Sequence, residues 1–311
     1  MTQTSPRTMK APVGVNHVVL NVRDIEESHR FWTDIVGLKQ VGALRPRADM
    51  GPIPTMRFYS GDHDGKFTHH DVALTLGSGW GKAAELIGET THTIPAQAIT
   101  GFSAPALEGH VGTLRSVLLP NGKRALVIGA RTHYYEGHGV RRVVHSVRTA
   151  AATGATTMIL TNGAGGIRET WTPGTPVLIS DHINLTADSP LEGATFIDLT
   201  DLYSKRLRDL ARTIDPGLDE GVYCQFRGPH YETPAEVQMA KAIGGHIVGM
   251  STALEAIAAR QAGMEILGLS LITNLAAGIQ KEPLSHAEVL VAGRQAEPVI
   301  SALLARIVAA L

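Results

Sequence analysis

From residue 71 onward the chain alternates two patterns of apolar positions. Runs without polar alternation, typical of strands buried on both faces, lie at 125–130, 156–162 and 266–274. Apolar residues spaced by three and four predict helices over 140–152, 233–243, 252–261 and 285–311. The alternation of buried strands with amphipathic helices predicts an α/β domain whose central sheet is covered by helices.

The first part of the chain has a different pattern. Residues 15–21 (VNHVVLN) are β-rich, and residues 25–36 place apolar positions on one helical face. Short strands are predicted near 39–44, 55–59 and 69–76, which yields the order β-α-β-β-β. The stretch HHDVALTL at 69–76 fits equally well as the last strand of this unit or the first strand of the α/β domain. The pattern leaves that choice open.

Composition and charge narrow the class of partner. The chain has 311 residues, of which 43% are hydrophobic and 18% charged, as expected of a folded globular protein. Its 28 basic and 29 acidic residues nearly balance, so we expect neither nucleic acid nor a membrane as a partner. The single cysteine, Cys224, excludes an internal disulfide and a cysteine-rich zinc site. Residues 1–12 form a polar tail without a signal-peptide core, and we expect a cytoplasmic protein.

Three segments at the ends of predicted strands suit an anion. GSGWG at 77–81 and NGAGG at 162–166 are glycine-rich, so that backbone N–H groups can approach a phosphate. In RTHYYEG at 131–137, Arg131 offers a planar fork for phosphate and His133 a further donor. Each segment alone is also explained as a tight corner or a solvated strand end. Together, at the edge where α/β crevices open, they indicate a phosphate site.

Three later motifs add groups that suit a nucleoside. In GPHYET at 228–233, Tyr231 offers a ring for stacking and Glu232 accepts an N–H edge. GMST at 249–252 supplies a hydroxyl and an apolar floor, and Asn274 ends a buried strand with a side chain that both donates and accepts. Taken singly, Met250 is more typical of a core and Glu232 of a helix N-terminus. Together they describe a pocket for phosphate, sugar and heterocycle.

Residues 71–311 resemble the trimeric class of purine nucleoside phosphorylases. Eight motifs occur in that family's order: GSGWG, GHVGT at 109–113, RTHYYEGH, TNGAGG, DHINLT at 181–186, GPHYETPAE, GMST and TNLAAG. The resemblance implies a twisted mixed α/β sheet flanked by helices and the reversible phosphorolysis of purine nucleosides to free base and sugar 1-phosphate. It also implies a homotrimer that uses inorganic phosphate as co-substrate and needs no metal or organic cofactor.

The same resemblance assigns roles residue by residue. The implied phosphate ligands are Ser78, Arg131, His133, Ser251 and the backbone N–H of Gly163, with His110 close by. The implied nucleoside contacts are Tyr135 and Met250 to the ribose, His286 to its 5′-hydroxyl, and Tyr231, Glu232 and Asn274 to the base. Asn274, Glu232, His110 and His286 are the expected catalytic residues. Phe196 matches the aromatic residue that closes the sugar pocket of a neighbouring subunit.

Three positions bear on substrate choice within this resemblance. Gly163 replaces an alanine common in the family, and Tyr231 stands where some members have phenylalanine, but neither change removes a catalytic side chain. Asn274 favours 6-oxopurines, inosine and guanosine with their deoxy forms. Methylthioadenosine phosphorylases tend to carry aspartate at that position, and they are the alternative on the same fold.

Residues 13–70 resemble one βαβββ module of the vicinal oxygen chelate, or glyoxalase-like, superfamily, through the opening VNHVVLNVRDIEESHRFWTDIVGL. His17 and either His69 or His70 occupy strands where that family often places metal ligands. A complete site combines two modules and further ligands that this chain lacks, so no bound metal is expected. A metal-dependent glyoxalase-like protein with an inactive phosphorylase body is the alternative from another functional class.

Overall fold

The computed structural model describes residues 30–35, 39–44, 56–60, 62–63, 66–67, 70–99, 101–102 and 112–311. In its first part, a π-helical turn at Phe31–Ile35 precedes two small antiparallel pairs of strands. The pairs are β1 (Lys39–Leu44) with β2 (Met56–Ser60), and β3 (Asp62–His63) with β4 (Lys66–Phe67). The predicted strand at 15–21 and half of the predicted helix at 25–36 lie outside the described residues, so the glyoxalase-like module stays a prediction.

The main sheet has nine strands in the spatial order β12-β11-β10-β13-β9-β5-β8-β7-β6. Their bounds are β5 (Val72–Thr75), β6 (Glu89–Pro95), β7 (Thr113–Leu118), β8 (Arg124–Ile128), β9 (Thr157–Gly166), β10 (Pro176–Asn184), β11 (Asp219–Gln225), β12 (Ile247–Gly249) and β13 (Glu265–Leu275). Strand β12 pairs with both β11 and β9, which closes the strands from β9 to β13 into a ring. The ambiguous stretch at 69–76 therefore supplies β5, in the middle of the α/β sheet.

Four neighbouring strands set the position of the functional residues. β5 runs parallel to β8 and β9, and β13 runs parallel to β9. Their carboxyl ends consequently meet at one edge of the sheet, where ligand crevices of α/β proteins form. β10 is antiparallel to β13, and β6 and β7 continue the other end as an antiparallel pair. The sheet is mixed, as the resemblance implies.

Seven α-helices lie in the described part of the chain. They are α1 (Ala83–Leu86), α2 (Val140–Val143), α3 (His145–Ala152), α4 (Lys205–Ile214), α5 (Pro234–Ala242), α6 (Ala253–Gln261) and α7 (His286–Ala309). Side-chain caps begin three of them: Ser204, Thr233 and Ser285 each accept a backbone N–H from the first turn. The helix predicted over 140–152 is instead two helices, because Val144 leaves helical geometry at φ −93° and ψ 5°. None of the helices described is both long and apolar enough to cross a bilayer.

Each face of the sheet carries its own core. Along β9, Met158 and Leu160 point into one buried cluster, and Ile159 points into the other. This alternation explains why the strand is apolar at every position: both faces are covered by helices. The first cluster includes residues of α3 and α6, and the second includes residues of α4 and α7. The first cluster also contains Phe31 and Ile35, so the π-helical turn shares a core with the sheet.

Candidate active site

A cavity of about 290 Å³ opens at the edge where the parallel strands end. All the predicted site residues except two line it: Ser78, Arg131, His133, Tyr135, Gly163, Tyr231, Glu232, Met250, Ser251, Asn274 and His286. The exceptions are His110, which lies outside the described residues, and Phe196, which is 93% exposed and away from this cavity. The structure thus brings together side chains that are up to about two hundred positions apart in sequence.

The loop after β5 reaches the cavity through a close backbone approach. The N–H of Gly77 donates to Thr161 Oγ1 at 3.0 Å, and a Cβ at this glycine would lie 2.6 Å from the carbonyl oxygen of Thr161. Only glycine fits at that distance. The fully buried indole of Trp80 then donates to the carbonyl of Asn162 at 3.1 Å. These contacts hold Ser78 beside Gly163. The segment at 162–166, predicted to follow the strand as a glycine-rich turn, instead lies inside β9.

Arg131 follows β8 and is almost completely buried. Its Nε donates to Glu255 Oε1 at 3.1 Å and its Nη1 donates to the carbonyl of Thr161 at 2.6 Å. Within the described part of the chain, its buried Nη2 has no hydrogen-bond partner. A buried guanidinium with a spare N–H group at a cavity wall is suited to bind an anion such as phosphate.

The short 3₁₀ turn at Tyr134–Glu136 arranges two more cavity residues. The N–H of His133 donates to Glu136 Oε1 at 2.6 Å, and the rings of His133 and Tyr135 stack with centroids 4.9 Å apart. Although burial acts to raise it, these hydrogen bonds from His133 lower the pKa of Glu136 overall. Burial raises the pKa of Tyr135 to about 12, so its phenol stays neutral and able to donate at physiological pH.

Ser251 and Met250 follow β12, and His286 is the first residue of α7. The N–H of Ser251 donates to the hydroxyl of the buried Tyr223 at 3.3 Å. A Cβ at Gly249 would lie 2.2 Å from that hydroxyl, so the strand end requires glycine here. His286 is exposed, which places it at the mouth of the cavity.

Glu232 and Asn274 are buried polar residues that line the cavity. Burial raises the pKa of Glu232, whose Oε1 has no hydrogen-bond partner among the described residues. Asn274 lies at an irregularity in the pairing of β13 with β9, after Ile272. Its Oδ1 accepts from the Thr273 hydroxyl at 2.9 Å and its Nδ2 donates to the carbonyl of Leu275 at 2.9 Å. The side-chain amide is therefore held in one orientation.

Several further residues line the cavity, and the sequence alone predicts no individual role for them. They are Gly77, Asn162, Ala164, Gly165, Pro229, Val248, Gly249, Thr273, Ala276, Leu284 and Val289. Most of them stand inside or next to the motifs described above, so proximity in sequence was the available signal. The buried partners Glu255 and Thr252 had a weaker signal, because they act from behind the cavity wall.

Known proteins are similar to most of this chain. Residues 71–309 match the sequence model of a protein family described as the phosphorylase superfamily. A purine nucleoside phosphorylase from Cellulomonas sp is 65% identical over 242 residues, which are 76% of this chain and 86% of that protein. One from Mycobacterium tuberculosis is 57% identical over 240 residues, which are 77% of this chain and 89% of that protein.

Solved structures agree with these sequence matches. Schistosoma mansoni purine nucleoside phosphorylase in complex with adenosine superposes with a TM-score of 0.71 at 31% identity, over 77% of this chain and 90% of that one. The same enzyme in complex with inosine also has a TM-score of 0.71, at 30% identity, over 78% and 90% of the two chains. The chain therefore belongs to the phosphorylase superfamily and, within it, to the purine nucleoside phosphorylases.

Proposed function

We propose that this chain catalyses the reversible phosphorolysis of 6-oxopurine nucleosides, releasing the free purine and (deoxy)ribose 1-phosphate. The observation that carries the proposal is one cavity lined by both a buried guanidinium with a spare donor, Arg131, and a buried carboxylate with a spare acceptor, Glu232. The first group suits a phosphate and the second suits an N–H edge of a base.

The proposed reaction needs no nucleophile from the protein. A phosphate oxygen attacks C1′ of the sugar while the bond from C1′ to N9 breaks, and the bonding electrons pass to the purine. The sugar gains oxocarbenium character, which the bound phosphate stabilises, and the purine gains negative charge. Inorganic phosphate is a co-substrate in this scheme, and we propose no metal or organic cofactor.

The individual roles in this proposal are those that the resemblance to purine nucleoside phosphorylases implies. Ser78, Arg131, His133, Ser251 and the N–H of Gly163 bind phosphate in this proposal, and His110 lies near it. Tyr135 and Met250 contact the ribose, and His286 contacts its 5′-hydroxyl. Tyr231 lies by the base, and Asn274 and Glu232 stabilise the leaving purine.

The proposed preference for 6-oxopurines rests on the polarity of the base edge. A 6-oxopurine carries a proton on N1, which the carboxylate of Glu232 can accept in a hydrogen bond. A 6-aminopurine presents an unprotonated N1, and two acceptors would then face each other. Because one relative was solved with both adenosine and inosine, adenosine belongs in the test.

The test is a phosphate-dependent assay with inosine, guanosine, adenosine and methylthioadenosine. We expect cleavage of the first two and none without phosphate. Arg131→Ala removes charge-assisted hydrogen bonds worth about 1.5 to 3 kcal/mol, so kcat/KM for phosphate should fall by about ten- to a hundredfold. Arg206→Ala, which removes an exposed arginine paired with Glu265, is the matched control. Unchanged phosphate saturation in Arg131→Ala would refute the assignment.

A further inference from the structure

Behind the cavity wall lies a buried carboxylate to which the proposed chemistry gives no role. Glu255, in the first turn of α6, has a side chain that is 1% exposed and is not among the residues that line the cavity. Its two oxygens bind two different elements of the site. Oε1 accepts from Arg131 Nε at 3.1 Å, and Oε2 accepts from the backbone N–H of Thr252 at 2.9 Å.

The bond to Arg131 determines which part of the guanidinium faces the cavity. Nε is bound to Glu255 and Nη1 to the carbonyl of Thr161, so the orientation of the planar group is fixed by two contacts. Nη2 is the nitrogen left over for a ligand. Glu255 also compensates the charge of a guanidinium whose side chain is 2% exposed, which burial would otherwise disfavour strongly.

The hydrogen bond from Thr252 to Glu255 stabilises a backbone conformation that residues other than glycine rarely adopt. Thr252 has φ 83° and ψ −50°, outside the ordinary regions for a residue with a Cβ. The strain persists because the residue is held on several sides. Besides the contact with Glu255, its Oγ1 accepts from Asn162 Nδ2 at 3.0 Å.

Thr252 contacts the hydroxyl of its neighbour, Ser251, and can orient it. Thr252 Oγ1 lies 3.1 Å from Ser251 Oγ. Either hydroxyl can donate in this contact. When Thr252 Oγ1, which accepts the Asn162 amide, donates its own proton to Ser251 Oγ, the Ser251 proton is available to a ligand in the cavity. Two proposed phosphate donors, Arg131 and Ser251, are in this way oriented from one carboxylate.

The contact pattern explains why glutamate is needed. Both partners of Glu255 are N–H donors, so both oxygens have to be acceptors. Glutamine would turn its NH₂ group toward one of the donors, and aspartate is one methylene too short to reach both. We propose that Glu255 is a positioning residue of the phosphate site, which orients Arg131 directly and Ser251 through Thr252.

The inference rests on the proposed function, and its test separates the two. The wild type, Glu255→Gln and Glu255→Asp are assayed for phosphorolysis of inosine, with phosphate KM and inosine KM measured separately at matched concentrations of folded protein. We expect Glu255→Gln to raise phosphate KM by about tenfold or more while inosine KM changes less than twofold, and Glu255→Asp to raise phosphate KM by a smaller factor. Failure of the wild type to cleave inosine with phosphate would refute the proposed function itself.

The matched control is Glu265→Gln, which removes a carboxylate from another arginine, Arg206, at the far end of β13. A purely structural effect would lower the fraction of active protein in Glu255→Gln and Glu265→Gln alike, and it would leave phosphate KM and inosine KM unchanged. Glu255→Gln is also made in the Arg131→Ala background, where most of its effect on kcat/KM for phosphate should disappear, because its main partner is gone. If Glu255→Gln does not fold, the same cycle is run with Glu255→Asp. Equal rises in both KM values, or full additivity with Arg131→Ala, would overturn the proposal.

Discussion

Two buried glutamates near the same cavity have opposite environments. Glu255 accepts from a guanidinium and a backbone N–H, whereas Glu232 keeps one oxygen without a partner among the described residues. The first arrangement compensates a buried charge within the protein. The second leaves a charge whose partner has to come from a ligand, which is the situation expected at a binding site rather than in a core.

The pKa of Glu232 leads to a prediction about stability. Burial raises this pKa in the folded state, so folding favours the protonated form, and ionisation reduces stability as pH rises from the ordinary value of 4.5 through the raised one. Glutamine cannot ionise. Glu232→Gln should therefore raise the Tm by about a few degrees at pH 7 to 8, and the gain should vanish below about pH 4.

The check is a thermal melt of both proteins between pH 4 and pH 8, together with the inosine assay. Because the amide is a poorer acceptor for N1–H, kcat/KM for inosine should fall in the variant although its stability rises. Glu85→Gln, at an exposed glutamate of α1, serves as the control. A Tm difference that does not depend on pH would contradict the role of ionisation at Glu232.

Asn274 carries the prediction about base choice. Its amide can donate to N7 or to O6 of a 6-oxopurine, whereas aspartate offers only acceptors, which suit a 6-amino group. Asn274→Asp should move the ratio of kcat/KM for inosine over adenosine toward adenosine by about tenfold or more, since an unpaired buried polar group costs about 1 to 3 kcal/mol. An unchanged ratio would refute this role for Asn274.

At the scale of elements, the apolar strands were predictable and the exposed ones were not. The runs at 125–130, 156–162 and 266–274 correspond to β8 (Arg124–Ile128), β9 (Thr157–Gly166) and β13 (Glu265–Leu275). β6 had no such signal, because it lies at the edge of the sheet and all seven of its residues are exposed or half-buried. Unbroken apolar runs report burial on both faces, so they locate β8, β9 and β13 and miss an exposed edge strand such as β6.

The same contrast explains what could be predicted of the site. Ser78 and Arg131 follow apolar strands and Gly163 lies in the last part of β9. Because the carboxyl ends of parallel strands meet, their proximity follows from the pattern. The positive φ of Thr252 had no such signal, because its partner Asn162 is 90 positions away. Local sequence does not encode a strain that distant contacts maintain.

The π-helical turn at Phe31–Ile35 supports a prediction about the N-terminal segment. Phe31 is 2% exposed and Ile35 4% exposed, and both lie in the core cluster that contains one face of the sheet. Phe31→Ala should lower the free energy of unfolding by about 3 to 5 kcal/mol. The turn carries none of the proposed site residues, so kcat/KM of the folded protein should stay within a few-fold.

Denaturant unfolding with a parallel inosine assay checks this prediction, and Leu86→Ala, at a side chain that is 55% exposed, is the control. Removal of residues 1–66 should have the same outcome in stronger form, with chemistry retained and stability reduced. Loss of more than a hundredfold in kcat/KM, about 2.7 kcal/mol by the rate relation, would show instead that the segment helps to build the active site.

For the molecule as a whole, the match to the phosphorylase superfamily spans residues 71–309 and leaves the first seventy residues to be explained separately. Phe31 and Ile35 share a core with the sheet, so the turn at Phe31–Ile35 packs against the main domain and is not merely joined to it through the chain. The boundary at residues 70 and 71 marks a change in sequence pattern. It is not a break in the core, because apolar packing crosses it. The divisions at 1–12, 13–70 and 71–311 stay predictions.

A loop on the outside of the molecule carries the prediction about assembly. Phe196 is 93% exposed, and the residues before it are tied to the chain's own helices and turns. Arg141 Nε donates to Glu192 Oε1 at 2.5 Å, Arg148 Nη2 donates to the carbonyl of Pro190 at 2.9 Å, and the Tyr134 hydroxyl donates to Asp188 at 2.9 Å. A loop anchored in this way holds its aromatic ring outward, where a neighbouring copy can receive it.

We expect a homotrimer in which Phe196 completes the sugar pocket of the adjacent subunit. Sedimentation equilibrium should then report three chains, and Phe196→Ala should raise inosine KM by about tenfold while phosphate KM changes little, because the ring contacts the sugar and not the anion. Met239→Ala, at another exposed apolar side chain, should change neither constant.

Mixing Phe196→Ala with chains that carry Arg131→Ala gives a sharper test of the shared site. In mixed trimers, some sites would combine an intact Arg131 with a Phe196 from the neighbour, so inosine cleavage should exceed that of either variant alone. A fully active monomer, or no gain on mixing under conditions where subunits exchange, would rule out a shared site.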